Sequence, residues 1–124
     1  MPGFELWSDV ERKHLNDVVQ NGVLMRYGFD GNRNGHWKAK ELEAAINDYY
    51  GCKYSQLVSN GTAAVTLALL ALGVGYGDEV IIPTFTFVAS FEAVISVGAV
   101  PVLVDVDDTL TLSPAAVKAA ITSK

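Results

Sequence analysis

Apolar positions along this chain change their period near residue 53. Before that point they follow helical spacing. Ser8 to Glu11 reads as a capping box, with Ser8 as N-cap and Glu11 reaching back. The amphipathic run Val10 to Val19 follows, and Asn21-Gly22 stops it. Residues 21–35 contain four Gly and three Asn, which predicts an ordered loop. Trp37 to Tyr50 places Leu42, Ala45, Ile46 and Tyr49 on one face of a second helix, which Gly51 ends.

From Lys53 onward, short apolar runs alternate with turns. KYSQLVS (53–59) reads as a strand and NGT as a turn. AAVTLALLALG is a helix apolar nearly all round, so it is expected to be buried on several sides. GVGYGDE is a turn, and VIIP (80–83) is a strand without polar alternation, as in a parallel sheet covered on both faces. Thr86 to Val97 is a helix ended by Gly98, and VPVLVDV (100–106) is a further buried strand. Ser113-Pro114 opens a last helix, Ser as N-cap and Pro in the first turn. Strand, helix, strand, helix, strand with short connections predicts right-handed crossovers and an α/β fold with a parallel-rich sheet. The expected organisation is a helical segment with a Gly/Asn loop over 1–52, then an α/β domain starting at 53 and running to 124.

Composition narrows the partners. Half of the 124 residues are apolar and 19% are charged, which fits a folded domain. A net charge of −5 argues against nucleic acid or an anionic membrane as partner. Cys52 is the single cysteine, so no internal disulfide forms. The start MPGFELWSDVERKHL lacks the apolar core of a secretory signal, and a cytoplasmic protein is expected. Residues 80–104 are long enough and apolar enough for a membrane helix, with Glu92 their only charge. Pro83, Pro101 and four hydroxyl side chains favour strand, helix and strand instead.

Residues 30–41, DGNRNGHWKAKE, match the calcium-loop pattern, with Asp30, Asn32 and Asn34 in the first side-chain positions and Glu41 in the bidentate one. Against calcium, the preceding NGVLMRYGF has no helical period, Lys38 stands at a ligand position, and Arg33 and Lys40 add charge of the wrong sign. A Gly/Asn loop ahead of a helix is the favoured reading. A calcium-binding or interaction module at 30–41 is the alternative outside enzymes.

LVSNGTAAVTLALLALG (57–73) carries more chemistry. A Gly turn precedes a helix whose first N–H groups, near Gly61, Thr62 and Ala63, have no helical acceptors. Ser59 or Asn60 can cap them; equally, they and the Thr62 hydroxyl can bind an anion such as phosphate. In VIIPTFTFVAS (80–90), Pro83 ends a strand, and Phe85 and Phe87 fall at the sheet edge where open α/β sheets bind ligands. An aromatic there can stack on a flat ring, or simply belong to the core. Together the two segments suggest a flat, phosphorylated cofactor.

The segment SNGTAAVTLALLALGVGYGDEVIIPTFTFVASFEAVISVGAVPVLVDVD resembles the N-terminal part of the DegT/DnrJ/EryC1/StrS sugar aminotransferases, fold-type I enzymes dependent on pyridoxal phosphate. It joins G-T-A, G-x-G-x-G-D-E-V-I-x-P, T-F-x-F-V-A-S and G-A-x-P-V-x-V-D at that family's spacing, over about residues 53–122. Upstream, PGFELW and RYGFDGNRNGHWK resemble one member type, the 8-amino-3,8-dideoxy-manno-octulosonate transaminases of lipopolysaccharide sugar synthesis.

The resemblance implies that residues 53–124 begin a fold-type I large domain. It implies that Gly61 and Thr62 hold the cofactor phosphate, with Ala63 adding a donor and Asn60 a polar contact. Phe87 would stack on the pyridine ring, Phe85 would pack, and Asp105 would be structural. Arg26 and Tyr27 would reach substrate, across a homodimer interface. The full-length reaction would move an amino group, from glutamate, to a nucleotide-sugar or acid-sugar ketone. The lysine and the acid that the cofactor needs lie downstream in the family, and none of the nine Lys and Arg here ends a buried strand at the cofactor edge. The chain therefore reads as the front of a longer enzyme, inactive and poorly soluble alone. A sugar dehydratase of the same family and a truncated non-catalytic paralogue are the alternatives.

Overall fold

Ser8 starts the first helix and Gly22 stops it, both by hydrogen bonds the sequence predicts. The computed structural model describes residues 3–124, as two units: the residues up to Leu57, and Val58–Lys124.

In the first unit, a 3₁₀ turn at Phe4–Leu6 precedes α1, Asp9–Asn21. The Ser8 hydroxyl accepts from the Val10 N–H at 3.2 Å, and the Glu11 carboxylate accepts from the Ser8 N–H at 2.7 Å, closing the capping box. Gly22 takes the left-handed conformation, φ 69°, and its N–H returns to the Val18 carbonyl. The loop that follows contains a 3₁₀ turn at Asp30–Asn32, which composition did not reveal. α2 spans Lys38–Tyr50 and ends at Gly51.

The apolar face of α2 is not its buried one. Leu42, Ala45 and Tyr49 are exposed and Ile46 is half-buried, while Glu43 is buried. Glu43 occupies that position because it has partners. Its carboxylate pairs with Arg26 Nη2 at 2.8 Å and accepts from the Leu57 N–H at 2.7 Å, and its carbonyl accepts from the Ser55 hydroxyl at 2.9 Å. The expected strand KYSQLVS does not form. A strand exists through its ladder, and residues 53–59 pair with no other strand among the described residues; Ser55 and Leu57 bond to Glu43 instead.

The second unit contains α3 (Gly61–Ala71), β1 (Glu79–Pro83), α4 (Val88–Ser96), β2 (Val100–Val104) and α5 (Pro114–Ala120). Strands β1 and β2 pair in parallel with Glu79 opposite Val100 and Pro83 opposite Val104. Asp78 shapes the approach to β1, its carboxylate accepting from the Gly75 N–H at 2.7 Å. Gly98 adopts φ +82° directly after α4, and a Cβ there would lie 3.8 Å from the Tyr76 backbone. Ser113 caps α5 by accepting from the Ala116 N–H. The core is Ile82, Val94 and Ala99, with Leu69, Val80 and Phe91 packed against it.

Two expectations of burial fail in this unit. No residue of α3 is buried, and Leu67 and Leu70 are about half exposed. Burial on several sides requires a layer on each side; among the described residues α3 packs chiefly on α4. The strands are likewise covered in part, with Ile82 and Val104 buried and Leu103 56% exposed. No helix among the described residues is long and apolar enough to cross a membrane.

Candidate functional site

Asn60 sets the geometry at the start of α3. Its backbone is extended, and its side-chain oxygen accepts from the Ala63 N–H at 2.8 Å. The Asn60 carbonyl takes the Ala64 N–H at 3.1 Å. The N–H groups of Gly61 and Thr62 are left without acceptors among the described residues. Asn60, rather than Ser59, is therefore the cap, and the Ala63 donor expected for an anion is engaged by the cap.

Gly61 has an ordinary negative φ, and a Cβ built there meets no atom within 4 Å. Neither backbone strain nor crowding demands glycine.

Phe87 is the N-cap of α4, its backbone extended and its ring 76% exposed. Gly61, Thr62, Val65, Phe87, Ala89 and Ser90 surround one cavity of about 330 Å³. Residues 26 positions apart in sequence thus share a wall because α3 and α4 pack together. Phe85, expected to pack, is 65% exposed. Ser90 was not foreseen; it stands one helical step from Phe87, and its hydroxyl lies 3.1 Å from that of Thr86. No ionisable side chain lines this cavity among the described residues. The arrangement can hold an anion on fixed amide donors beside an aromatic face, and it has no group to transfer a proton.

An adjoining groove of about 610 Å³ shares Thr62 and is bordered by Asn60, Ala63, Thr66, Glu92 and Ser96. Asp105 is exposed, and its main-chain carbonyl accepts from the Ser113 N–H at 3.2 Å.

The residues singled out in the first unit have other partners. Arg26 is tied to Glu43 and to Gln56, while Tyr27 is 77% exposed. In the calcium look-alike, Glu41 lies 3.5 Å from His36 and 3.6 Å from Lys38, and no group of three or more His, Cys, Asp or Glu able to hold a metal occurs among the described residues. Lys38 also bonds Asp17 at 3.1 Å; the Asp17 hydrogen bond is the main cause of its raised pKa.

Residues 10–124 match the model of the DegT/DnrJ/EryC1/StrS aminotransferase family. An L-glutamine:scyllo-inosose aminotransferase of Streptomyces griseus is 50% identical over 114 residues, covering 90% of this chain and 26% of that protein. Among solved structures, 3-amino-5-hydroxybenzoic acid synthase aligns with a TM-score of 0.82 at 39% identity, over 94% of this chain and 29% of the other. A GDP-4-keto-6-deoxymannose-3-dehydratase with a trapped PLP-glutamate geminal diamine aligns with a TM-score of 0.77 at 25% identity, over 94% of this chain and 30% of the other. The chain thus spans about a quarter of the length of the curated relative it matches.

Proposed function

The chain belongs to the DegT/DnrJ/EryC1/StrS aminotransferase family, and from that premise we propose that it forms the phosphate-holding part of a sugar aminotransferase dependent on pyridoxal 5'-phosphate. One observation carries the reading: the free N–H groups of Gly61 and Thr62 and the ring of Phe87 border the same cavity. Two amide donors and the Thr62 hydroxyl suit a phosphate, strengthened by the positive end of α3. The Phe87 ring suits the face of a pyridine. Asn60 contributes by holding Ala63 and so fixing the start of α3.

When bound, the cofactor supplies an electron sink through which an amino group passes between an amino acid and a carbonyl compound. This chain's own residues bind its phosphate, orient its ring and exclude water from one side. The amino donor is proposed to be glutamate or glutamine, with the latter supported by the relative's name. The acceptor is proposed to be an oxo-sugar. The narrower choice of a 3,8-dideoxy-octulosonate, in lipopolysaccharide sugar synthesis, rests on PGFELW and RYGFDGNRNGHWK alone. Arg26 and Tyr27 as substrate contacts, a homodimer and a cytoplasmic location belong to the same proposal. For Arg26 this requires a substrate to share the guanidinium with Glu43.

A dehydratase is the second reading, supported by the likeness to the GDP-4-keto-6-deoxymannose-3-dehydratase. The test is to load the full-length enzyme with the cofactor and supply glutamate or glutamine with a panel of oxo-sugars. An amino-sugar product supports the aminotransferase; loss of a hydroxyl without amine transfer supports the dehydratase. Failure to bind pyridoxal phosphate, or equal binding after Thr62→Val and Phe87→Ala together, overturns both.

A further inference from the structure

Two charged residues are buried among the described ones, Arg33 and Glu43. Glu43 has Arg26 as its counter-ion. Arg33, 5% exposed, has none: no carboxylate of the described residues lies within 4.0 Å of its guanidinium. Its Nε donates to the Gly28 carbonyl at 2.9 Å, its Nη2 donates to the Met25 carbonyl, and its guanidinium stands 5.3 Å from the Trp37 ring centre. These contacts satisfy donors and fold the loop, but they neutralise no charge. A buried charge without a partner is costly.

Arg33 forms part of the wall of a cavity of about 700 Å³, bounded by α1 and the loop that leads into α2. The other charged groups on that wall are Lys13, Lys38, Asp17 and Glu41. Lys38 is balanced, by Asp17 at 3.1 Å and Glu41 at 3.6 Å. Lys13, like Arg33, has no carboxylate within 4.0 Å among the described residues. Three positive side chains against two carboxylates leave the wall one positive charge in excess, and neither Arg33 nor Lys13 has a carboxylate partner of its own among the described residues. Gln20 and Asn34 also line the cleft.

We infer that this cleft binds a small monocarboxylate that also carries hydrogen-bond donors. The carboxylate supplies the counter-ion that Arg33 lacks. Asp17 and Glu41 repel a dianion such as phosphate, yet they accept from hydroxyl or ammonium groups. A hydroxy acid and an amino acid share this chemistry. The site is independent of the phosphate cradle, and its test requires no cofactor.

The indole N–H of Trp37 reports on the site because Arg33 stands over its ring. The full chain, free of cofactor, is titrated with gluconate, L-glutamate, inorganic phosphate, and sodium chloride at matched ionic strength, while that signal is followed by NMR. A saturable shift with gluconate or glutamate, weaker with phosphate and absent with chloride, is expected, and the acid that binds identifies the source. Lys13→Glu, at an exposed position, lowers the affinity roughly two- to fivefold. Arg33→Lys abolishes binding; where that variant does not fold, Lys13→Glu carries the test. No saturable shift, tighter binding of phosphate than of either carboxylate, or unchanged affinity in Lys13→Glu overturns the inference.

Discussion

The amide N–H of Leu57 donates to the carboxylate of Glu43 across 2.7 Å. The same carboxylate pairs with Arg26, so one buried side chain joins three stretches of the first unit. Glu43→Gln keeps the shape, removes the charge opposite Arg26, and leaves that guanidinium without its counter-ion. It is expected to lower the urea midpoint several-fold more than Glu41→Gln, whose side chain is 43% exposed. Equal shifts in the two variants would remove the clamp from the account of this unit.

The clamp also sets a pH dependence. Arg26 first, then the Leu57 N–H, holds the Glu43 pKa below its ordinary 4.5. A carboxylate with a depressed folded pKa contributes stability above its unfolded value and loses it as pH falls through the folded one. Glu11, lowered mainly by the Ser8 hydroxyl, acts in the same direction. Lys38, raised above 10.5 mainly by Asp17, acts at the other end: its contribution is complete below 10.5 and is lost as pH rises beyond. Urea midpoints measured below pH 4.5 and above pH 10.5 are expected to fall on both sides, and Glu43→Gln is expected to flatten the acid limb.

Val94 is 1% exposed and lies at the centre of the second unit's core. Val94→Ala removes two methyl groups and leaves a void, for a loss of about 2 kcal/mol. Thermal or chemical unfolding checks this, with Val65→Ala, 46% exposed, as the comparison expected to change little.

At the cradle, two variants separate fold from ligand. Asn60→Ala removes the cap and costs about 1 kcal/mol of stability, while exposing the Ala63 N–H as a third donor. Phe87→Ala removes a side chain that is 76% exposed; it is expected to change stability little and to weaken pyridoxal phosphate roughly two- to tenfold, the range of an aromatic stacking contribution. Absorbance titration of the cofactor reads the second effect. A Phe87→Ala enzyme that binds as tightly as the parent would separate this ring from the coenzyme.

Leu67 and Leu70, each about half exposed, leave α3 with an apolar side that is only partly covered among the described residues. Residues 1–124 expressed alone are expected to self-associate, and Leu70→Lys to lessen this. Sedimentation velocity over a concentration series measures it; a monomer at every concentration would contradict the expectation.

What could be read from the sequence follows the range of the forces involved. Ser8 with Glu11, Gly22, and Ser113 with Pro114 act within one turn of chain, and each cap formed where the residue types placed it. The two strands that found each other are those whose connection is a single helix with a glycine at its end. KYSQLVS has strand composition, but a ladder is a property of two segments, and composition describes one. Glu43 was hidden for a similar reason, because its partners stand 17 residues before it and 14 after it. Gly61 and Phe87 were expected on one edge of a parallel sheet; no strand forms ahead of Gly61 among the described residues, and it is the packing of α3 on α4 that sets the two around one cavity. The engagement of Ala63 by Asn60 required coordinates.

Pro83 and Pro101 have a shared consequence. Val100 N–H reaches back to Asp78 and Thr84 N–H to Val104, so residues 80, 82, 100 and 102 direct their amides into the β1–β2 ladder, and residues 81, 83, 101 and 103 direct theirs outward. Both prolines fall in the outward set, one on each flank of the ribbon. Any further strand that docks on either side meets a missing donor at a fixed position, and its register is constrained before any side chain is consulted.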